Sequence, residues 1–317
     1  MNAGILSRAE AAYLGLAIGD ALGATVEFMT PREIAERYGI HQHLIGGGWL
    51  HLKAGQVTDD TTMSWALADA ILECNGRVEA LACAQAFDAW MRAKPVDIGN
   101  TVRRNLLQFR KTGIPEAPPS EHDAGNGAAM RVLPIALAHL HDDDETLRAA
   151  CRVQGHVTHH NEVSDAACEF LALTVRDAIL GAGLRDLYRR RVKPFVDAHP
   201  IYAYRKSRHQ NPSGYVVHTI QAVLQSFMDA GSFRECLVDI VNRGGDADTT
   251  GAIAGMLAGA LYGAPLPKDW TDALLPEVRQ RCLEQARRLV ACAANRRLPF
   301  PLAATASSHH LPQPLRA

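Results

Sequence analysis

The stretch 244-GGDADTTGAIAGMLAGALYG-263 carries a glycine at every fourth position, at Gly251, Gly255, Gly259 and Gly263. The same spacing occurs near the start of the chain, at Gly15, Gly19 and Gly23. Glycine inside a helix costs about 1 kcal/mol relative to alanine, so a repeated stripe predicts a close approach of two backbones. A helix that merely tolerates glycine explains one or two of these positions but fits the spacing less well. We therefore expect these segments to form the innermost helices.

Helical spacing extends over much of the remaining chain. Apolar residues recur at every third and fourth position in seven further segments, 64–73, 79–91, 98–109, 127–140, 163–180, 215–228 and 273–293. The only β-like run, 237-LVDIV-241, could equally close a helix that begins near Ser232. We predict an all-α fold, with a single compact multi-helix domain over residues 1–298 and a flexible C-terminal tail over residues 299–317.

Composition narrows the class of substrate and the compartment. The 33 Lys and Arg side chains nearly balance the 34 Asp and Glu side chains, which argues against a nucleic-acid partner held by phosphate neutralisation. The seven cysteines form no CxxC pair, a pattern typical of buried thiols in a reducing compartment. Asp20 and Glu27 interrupt the apolar segment 11–29, leaving less than the ~18 uninterrupted residues of a membrane span. We expect a cytoplasmic protein with a small-molecule or protein substrate.

Two pairs of acids stand where helices are predicted to begin. Asp59 and Asp60 open the segment 57-VTDDTTMSWALADAIL-72, and Asp246 and Asp248 open the second glycine-striped helix. One Asp is an ordinary cap, because its side chain accepts hydrogen bonds from the free N–H groups of the first turn. The second acid of each pair would repel its neighbours in a buried place unless a cation neutralised it.

Threonine hydroxyls accompany both acid pairs, at Thr58, Thr61, Thr249 and Thr250. A donor set of carboxylate and hydroxyl oxygens suits a hard divalent ion, Mg²⁺ or Mn²⁺, better than Zn²⁺. Each half alone is weak evidence, since capping explains one acid per helix. The two halves together predict one cation site that joins two helix starts.

Three other acids are candidates for the same site. Glu27 is expected to end the first glycine-striped helix and could be a metal ligand, an acid–base group or a surface acid near a helix end. Asp97 and Asp123 each open a segment in which Gly and Asn flank a helix start, so capping explains either in isolation. The N–H groups of a Gly/Asn turn also bind phosphates, which makes Gly125, Asn126 and Gly127 a candidate pyrophosphate site.

The histidine cluster 156-HVTHH-160 suggests zinc at first sight. No second Cys/His pair at metal-ligand spacing accompanies it, so we interpret it differently. His159 or His160 is better explained as a hydrogen-bonding or stacking group in a polar pocket, with an ordinary loop histidine as the alternative.

Several motifs in combination resemble the ADP-ribosylglycohydrolase family. They are 15-GLAIGDALGATVEFMT-30, 58-TDDTTMSWAL-67, 125-GNGAAMR-131, 157-VTHHNEVSDAA-167 and 242-NRGGDADTTGAIAGMLAGALYG-263. Within the family, the likeness is greatest to a bacterial branch that acts in the regulation of nitrogen fixation, where it removes ADP-ribose from an arginine of the nitrogenase iron protein and restores its activity. Two departures from that branch are Arg243 in place of a glutamine and the order His160-Asn161 in place of Asn-His.

This resemblance implies an all-α fold with a binuclear centre of two divalent cations, Mn²⁺ or Mg²⁺. The implied metal ligands are Thr58, Asp59, Asp60, Asp246, Asp248 and Thr249. Asp97 is the expected acid–base residue, with Glu27 as the second candidate. The residues expected to bind ADP-ribose are Gly99, Asn100, Asp123, Gly125, Asn126, Gly127 and His159.

The same branch implies three partners, namely the ADP-ribosylated nitrogenase iron protein, a PII-type signalling protein and an ammonium channel. The protein would be a cytoplasmic monomer that partners bring reversibly to the membrane. One alternative is a glycohydrolase that acts on a different protein or a small conjugate, and another is a non-catalytic ADP-ribose-binding regulator. The run 246-DADTT-250 also matches a phosphoaspartyl phosphohydrolase motif, but that motif follows an early strand of an α/β sheet, whereas here it precedes a helix late in the chain.

Overall fold

Helices make up nearly all of the regular structure. A computed structural model describes residues 3–296. The α-helices of these residues are α1 (Ala3–Gly23), α2 (Pro31–Tyr38), α3 (Asp59–Glu73), α4 (Ala80–Arg92), α5 (Asn100–Thr112), α6 (Leu133–Ala138), α7 (Asp144–Gly155), α8 (Glu162–Ile179), α9 (Leu184–Leu187), α10 (Lys193–Ala198), α11 (Val216–Asp229), α12 (Phe233–Val241), α13 (Ala247–Tyr262), α14 (Lys268–Ala273) and α15 (Pro276–Arg296). Extended pairing in the described part is limited to two isolated bridges, Gly47 with Leu52 and Gly125 with Tyr215. The predicted all-α fold is confirmed.

Helices α1 and α13 lie antiparallel, with their backbones in contact. A Cβ atom added at Gly19 would lie 1.9 Å from the carbonyl oxygen of Gly251, and one at Gly15 would lie 2.2 Å from that of Gly255. The pairs Ala11–Gly259 and Gly23–Ala247 continue the contact in both directions. All residues of α13 from Ala247 to Ala260 are buried, so the prediction of two innermost helices is confirmed. Gly263 has a different role, because it ends α13 with φ = 70°.

This antiparallel pair determines which chain ends meet. The C-terminal end of α1 lies beside the N-terminal end of α13, where Gly23 contacts Ala247. Helix α3 begins at the same end of the pair, because Asp20 of α1 accepts hydrogen bonds from Thr58 and Thr61 at the start of α3. The fold therefore brings the starts of α3 and α13 together.

Some local expectations need correction. The segment 127–140 is helical only over α6, because residues 127–131 form turns and Pro134 lies in the first turn of the short helix. Glu27 does not end α1, which stops at Gly23, but lies in the turn after it. The run 237–241 belongs to α12, whose cap Ser232 accepts from the Glu235 N–H at 3.2 Å. Residues 299–317 lie outside the described residues.

Candidate active site

Carboxylates from the two helix starts form one buried cluster. Asp59 and Asp60 occupy the first turn of α3, while Asp246 is the N-cap of α13 and Asp248 lies in its first turn. One carboxylate oxygen from each of Asp59, Asp60 and Asp248 lies within 4.8 Å of the others, and the same holds for Glu27, Asp246 and Asp248. The structure therefore brings together all four acids of the two motifs, and it adds Glu27.

Asp20 holds the α3 half of the cluster in place, although it was not among the predicted site residues. It is fully buried on α1. Its carboxylate accepts from the backbone N–H and hydroxyl of Thr58, each at 3.0 Å, and from the N–H and hydroxyl of Thr61 at 3.1 and 2.5 Å. Asp20 thus supplies, from another helix, the cap that the start of α3 needs. Asp59 and Asp60 are left free to face the cluster.

Two threonine hydroxyls lie against the carboxylates. The hydroxyl of Thr249 donates to Asp60 Oδ2 at 3.2 Å. The hydroxyl oxygen of Thr58 lies 3.4 Å from Asp60 Oδ2 and 3.5 Å from Asp248 Oδ2. The other two threonines of the motifs are engaged elsewhere, since Thr61 bonds to Asp20 and the hydroxyl of Thr250 donates to the backbone oxygen of Asp246.

The electrostatics of the cluster favour binding of a cation. Burial, and then mutual repulsion, raise the pKa of Asp60 and of Asp248 well above the usual range. Burial, followed by repulsion from Asp97, raises the pKa of Asp59 to about 7. Asp60 Oδ1 is buried and has no hydrogen-bond partner. An unpartnered carboxylate oxygen in an oxygen-only donor set fits a hard divalent cation.

Glu27 faces the cluster from the turn that follows α1. Trp49 Nε1 donates to Glu27 Oε2 at 2.6 Å. Burial raises the pKa of Glu27 to about 8, with repulsion from Asp246, Asp97 and Asp59 adding to the effect against the hydrogen bond from Trp49. Without bound metal, this carboxyl group therefore keeps its proton at neutral pH. Trp49, the donor, comes from the glycine-rich loop 44–56 and was not among the predicted site residues.

Asp97 lies in the irregular segment before α5, whose N-cap is Gly99 rather than Asp97. The Asp97 side chain accepts from the next backbone N–H, that of Ile98, at 2.7 Å. It is only partly buried, and it is close enough to raise the pKa of Asp59 and Glu27. Gly99 and Asn100 are exposed beside it. Asp97 therefore stands at the solvent side of the cluster, and capping does not explain it.

Asp123 is buried and connects its loop to α5. Asn105 Nδ2 donates to Asp123 Oδ2 at 3.1 Å, and Arg104 forms an ion pair with Asp123 Oδ1. No helix of the described chain begins at this position, so capping is wrong here as well. Both carboxylate oxygens of Asp123 therefore contact side chains of α5, so Asp123 fixes the position of its loop against that helix.

The Gly125–Gly127 loop connects to both the cluster and His159. The side-chain amide of Asn126 donates to Asp246 and to the Thr219 hydroxyl, and its backbone N–H donates to Gly214 O at 3.0 Å. Asn126 therefore orients Asp246, and its own N–H is not directed at a ligand. A Cβ atom at Gly127 would lie 2.8 Å from His159 Cε1, so glycine lets the histidine ring lie against the loop.

His159, and not His160, lies against this loop. Its Nδ1 is 2.8 Å from the Thr158 hydroxyl, which accepts from Arg131 at 2.7 Å. Thr158 Oγ1 and His159 Nδ1 therefore share one hydrogen bond, which fixes the orientation of the ring and leaves Nε2 toward the Gly125–Gly127 loop. Burial, and then repulsion from Arg131, lower the pKa of His159 to about 3, so the ring is neutral. The His160 ring instead binds Ala117 O and stacks on His156 at 3.8 Å.

The structure combines an all-α fold, a helix pair packed through glycines, and a buried carboxylate cluster beside Gly/Asn loops. These features together agree with the family that the sequence motifs resemble. The sequence profile of the ADP-ribosylglycohydrolases matches residues 1–299, and the chain belongs to this family.

Comparison with individual proteins shows which members of the family the chain resembles. The chain is 46% identical over 288 residues to the ADP-ribosyl-[dinitrogen reductase] glycohydrolase of Rhodospirillum rubrum, a match that covers 90% of this chain and 96% of that one. It is 32% identical to the ADP-ribosylarginine hydrolase Tri1 of Serratia proteamaculans, over 86% of this chain and 77% of that protein. A solved structure described as an ADP-ribosylglycohydrolase-related protein complex matches with a TM-score of 0.80 and 33% identity, over 91% of this chain and 99% of the other.

Proposed function

We propose that this chain is an enzyme that hydrolyses the N-glycosidic bond between ADP-ribose and an arginine side chain of a protein. The substrate is the ADP-ribosylated nitrogenase iron protein, whose activity the reaction restores. The observation that carries this proposal is the carboxylate cluster, found in a chain 46% identical to a glycohydrolase named for dinitrogen reductase. The Tri1 relatives, named ADP-ribosylarginine hydrolases, support arginine as the residue released.

Two divalent cations, Mn²⁺ in first place and Mg²⁺ as the alternative, fit the cluster. The residues that would hold them are Thr58, Asp59, Asp60, Asp246, Asp248 and Thr249. When bound, the cations supply Lewis-acid polarisation of ribose hydroxyls and of water. Asp20 and Asn126 would act on the cation site indirectly. Asp20 holds the start of α3 in place, and Asn126 holds Asp246.

The loops around the cluster account for ADP-ribose binding in this proposal. Gly99 and Asn100 offer the exposed start of α5, while Gly125 and Gly127 bring the backbone close to the neutral His159 ring. In the tautomer that carries its proton on Nε2, that ring is a donor suited to a phosphate or ribose oxygen. Asp123 and Asn126 position these loops through their contacts with Asn105 and Asp246.

Hydrolysis breaks the bond between ribose C1 and a guanidine nitrogen, and the bonding electron pair leaves with the nitrogen. Positive charge develops at C1, where the carboxylate of Asp97, which is not among the proposed metal ligands, can stabilise it. Asp97 is the base that takes a proton from the attacking water, since it is the acid on the solvent side of the cluster. Glu27 is the second acid–base candidate, and Oε1 is the oxygen that could pass a proton to the leaving nitrogen because Oε2 accepts from Trp49.

The decisive test incubates the chain with ADP-ribosylated iron protein and Mn²⁺ and follows loss of the modification by mass spectrometry. We expect release of ADP-ribose by the native chain. Asp97→Asn should abolish turnover while the bound metal, measured by elemental analysis, stays the same. An iron protein that keeps its modification, together with release of ADP-ribose from another conjugate, would assign the chain to a different target. Binding without release from any conjugate would favour the non-catalytic regulator.

The resemblance extends the proposal to partners and location. A PII-type signalling protein and an ammonium channel are proposed as regulators that bring a cytoplasmic monomer reversibly to the membrane. Within residues 3–296, no helix is both long and apolar enough to cross a membrane. Co-sedimentation with channel-containing vesicles, with and without the PII-type protein, tests the partners, and light scattering tests the monomer.

A further inference from the structure

A groove of about 620 Å³ opens at the surface beside Glu27. Its walls come from the turn after α1, from α2 and from the loop at Trp49. None of its described lining residues belongs to the segments 97–100 and 123–127 or is His159, to which ADP-ribose was assigned. Glu27 belongs to both the groove and the carboxylate cluster. The groove therefore reaches the proposed reaction centre without using the nucleotide loops.

Two exposed aromatic rings form one wall of the groove. Phe28 is 64% exposed and Trp49 is 48% exposed, and their ring centroids are 5.4 Å apart. Phe28 also has φ = 63°, a conformation that a bulky residue rarely adopts. Its N–H donates to Gly245 O at 2.7 Å, and the Gly245 N–H donates to Met29 O at 2.9 Å. An exposed ring held in a strained conformation beside an active site indicates a role in binding.

The charges of the groove favour a cation. Glu33 and Glu36 line it with two carboxylates beside the uncharged Glu27 carboxyl group, and Arg37 contributes one guanidinium. Glu36 also pairs with Arg32 at 2.8 Å through Oε1, which leaves its second oxygen for a ligand. Glu33 keeps one oxygen free, because only Oε2 accepts from Thr30. Aromatic faces attract cations, and a planar guanidinium both stacks on such faces and pairs with carboxylates.

We propose that this groove binds the arginine side of the substrate, with the guanidinium between the Phe28–Trp49 wall and the carboxyl groups of α2. The inference rests on the proposed function and adds the residues that select arginine. The bond to be cleaved then lies at Glu27, between the nucleotide loops and the groove. The groove distinguishes an arginine conjugate from a conjugate whose leaving group has no planar cation.

Hydrolysis of ADP-ribosyl-agmatine, a small conjugate that keeps the guanidinium, tests the groove. Phe28→Leu keeps apolar bulk but removes the aromatic face, so KM should rise about fivefold while kcat stays near the native value. Inhibition by free agmatine should weaken by the same factor. The calorimetric affinity for ADP-ribose should not change, and Phe28→Tyr should restore native behaviour. Ile40→Ala is the matched control, because Ile40 is 67% exposed and lies outside the groove.

The outcomes separate this inference from the function on which it rests. Native chain that releases ADP-ribose only from another conjugate overturns the proposed function. Native chain that cleaves ADP-ribosyl-agmatine, with unchanged KM and agmatine inhibition in Phe28→Leu, overturns the groove alone. If Phe28→Leu lowers the melting temperature, Glu36→Gln replaces it, because Glu36 is exposed on α2. Agmatine inhibition that Glu36→Gln leaves unchanged would then refute the proposal.

Discussion

Gly19→Ala tests the contact on which the fold and the site both depend. The added Cβ atom would lie 1.9 Å from Gly251 O, 2.3 Å from Gly251 C and 2.9 Å from Ala252 N. All three atoms belong to backbone, so no side-chain rotation relieves the overlap. The helices α1 and α13 must separate by roughly 1 Å or more, which opens a closely packed interface along its length.

The expected cost follows from two opposing effects. Alanine gains about 1 kcal/mol of helix propensity over glycine, whereas overpacking a rigid interior costs about 1–3 kcal/mol and more when backbone must move. We expect a net loss of about 2 kcal/mol in the free energy of unfolding, at the upper end of these ranges, which for a chain of this size lowers Tm by roughly 3 °C. The separation also moves Asp20 away from Thr58 and Thr61, so Mn²⁺ affinity should fall as well.

Thermal unfolding and a calorimetric Mn²⁺ titration measure the two effects. Gly155→Ala is the matched control, because Gly155 is also helical and its added Cβ would meet nothing closer than 3.7 Å. That variant should melt at the native temperature or slightly above. A Gly19→Ala chain that melts like the native chain and keeps its Mn²⁺ affinity would refute the backbone contact.

Three further predictions concern the carboxylate cluster. Asp20→Asn should lower Mn²⁺ affinity more than tenfold, because an amide cannot accept from all four donors of Thr58 and Thr61 and a lost buried acceptor costs about 1–3 kcal/mol; unchanged binding in calorimetry would contradict this. Without metal, Tm should fall between pH 5.5 and pH 8, because burial raises the folded-state pKa of Asp246 to about 6, of Asp59 to about 7 and of Glu27 to about 8. Folding stability from such groups is complete below the unfolded-state pKa and is lost as pH rises to the folded-state value, so a Tm in EDTA that does not fall would be evidence against these shifts. Mn²⁺ at 100 times its Kd should stabilise the native chain by about 2.7 kcal/mol, and Asp248→Asn should remove that gain in the same melting assay.

The features that the sequence predicted share one property, which is a repeated local pattern. The glycine stripes predicted the α1–α13 contact, and the repeated acid pairs predicted that the starts of α3 and α13 would meet. Asp20 was missed because its partners Thr58 and Thr61 lie 38 and 41 residues away. An acid inside a glycine-striped apolar helix was nevertheless a signal that this side chain needed a hydrogen-bond partner. Trp49 was missed because its contact with Glu27 depends on how a loop folds back.

The overestimated helix over 127–140 has a local physical cause. Asn126 directs its amide to Asp246 and its backbone N–H to Gly214, so the chain after it turns instead of starting a helix. Apolar periodicity continues through residues 127–131 because these residues are mostly buried. Periodicity reports burial on one face, and in this segment burial is achieved by turns around the site.

The glycine stripe and the acid cluster are parts of one arrangement. Buried carboxyl groups on α3, α13 and the turn at Glu27 repel one another once they lose their protons, so without a cation their ionisation acts to separate the helix starts. Side-chain packing alone yields to such a force, because side chains can change rotamer. The contact between Gly23 and Ala247 lies beside Asp246 and Asp248 and consists of backbone atoms, which cannot adjust in this way. We infer that the close helix pair keeps the acids together before a cation arrives, so the site is formed in advance and the cation relieves a repulsion that the fold imposes.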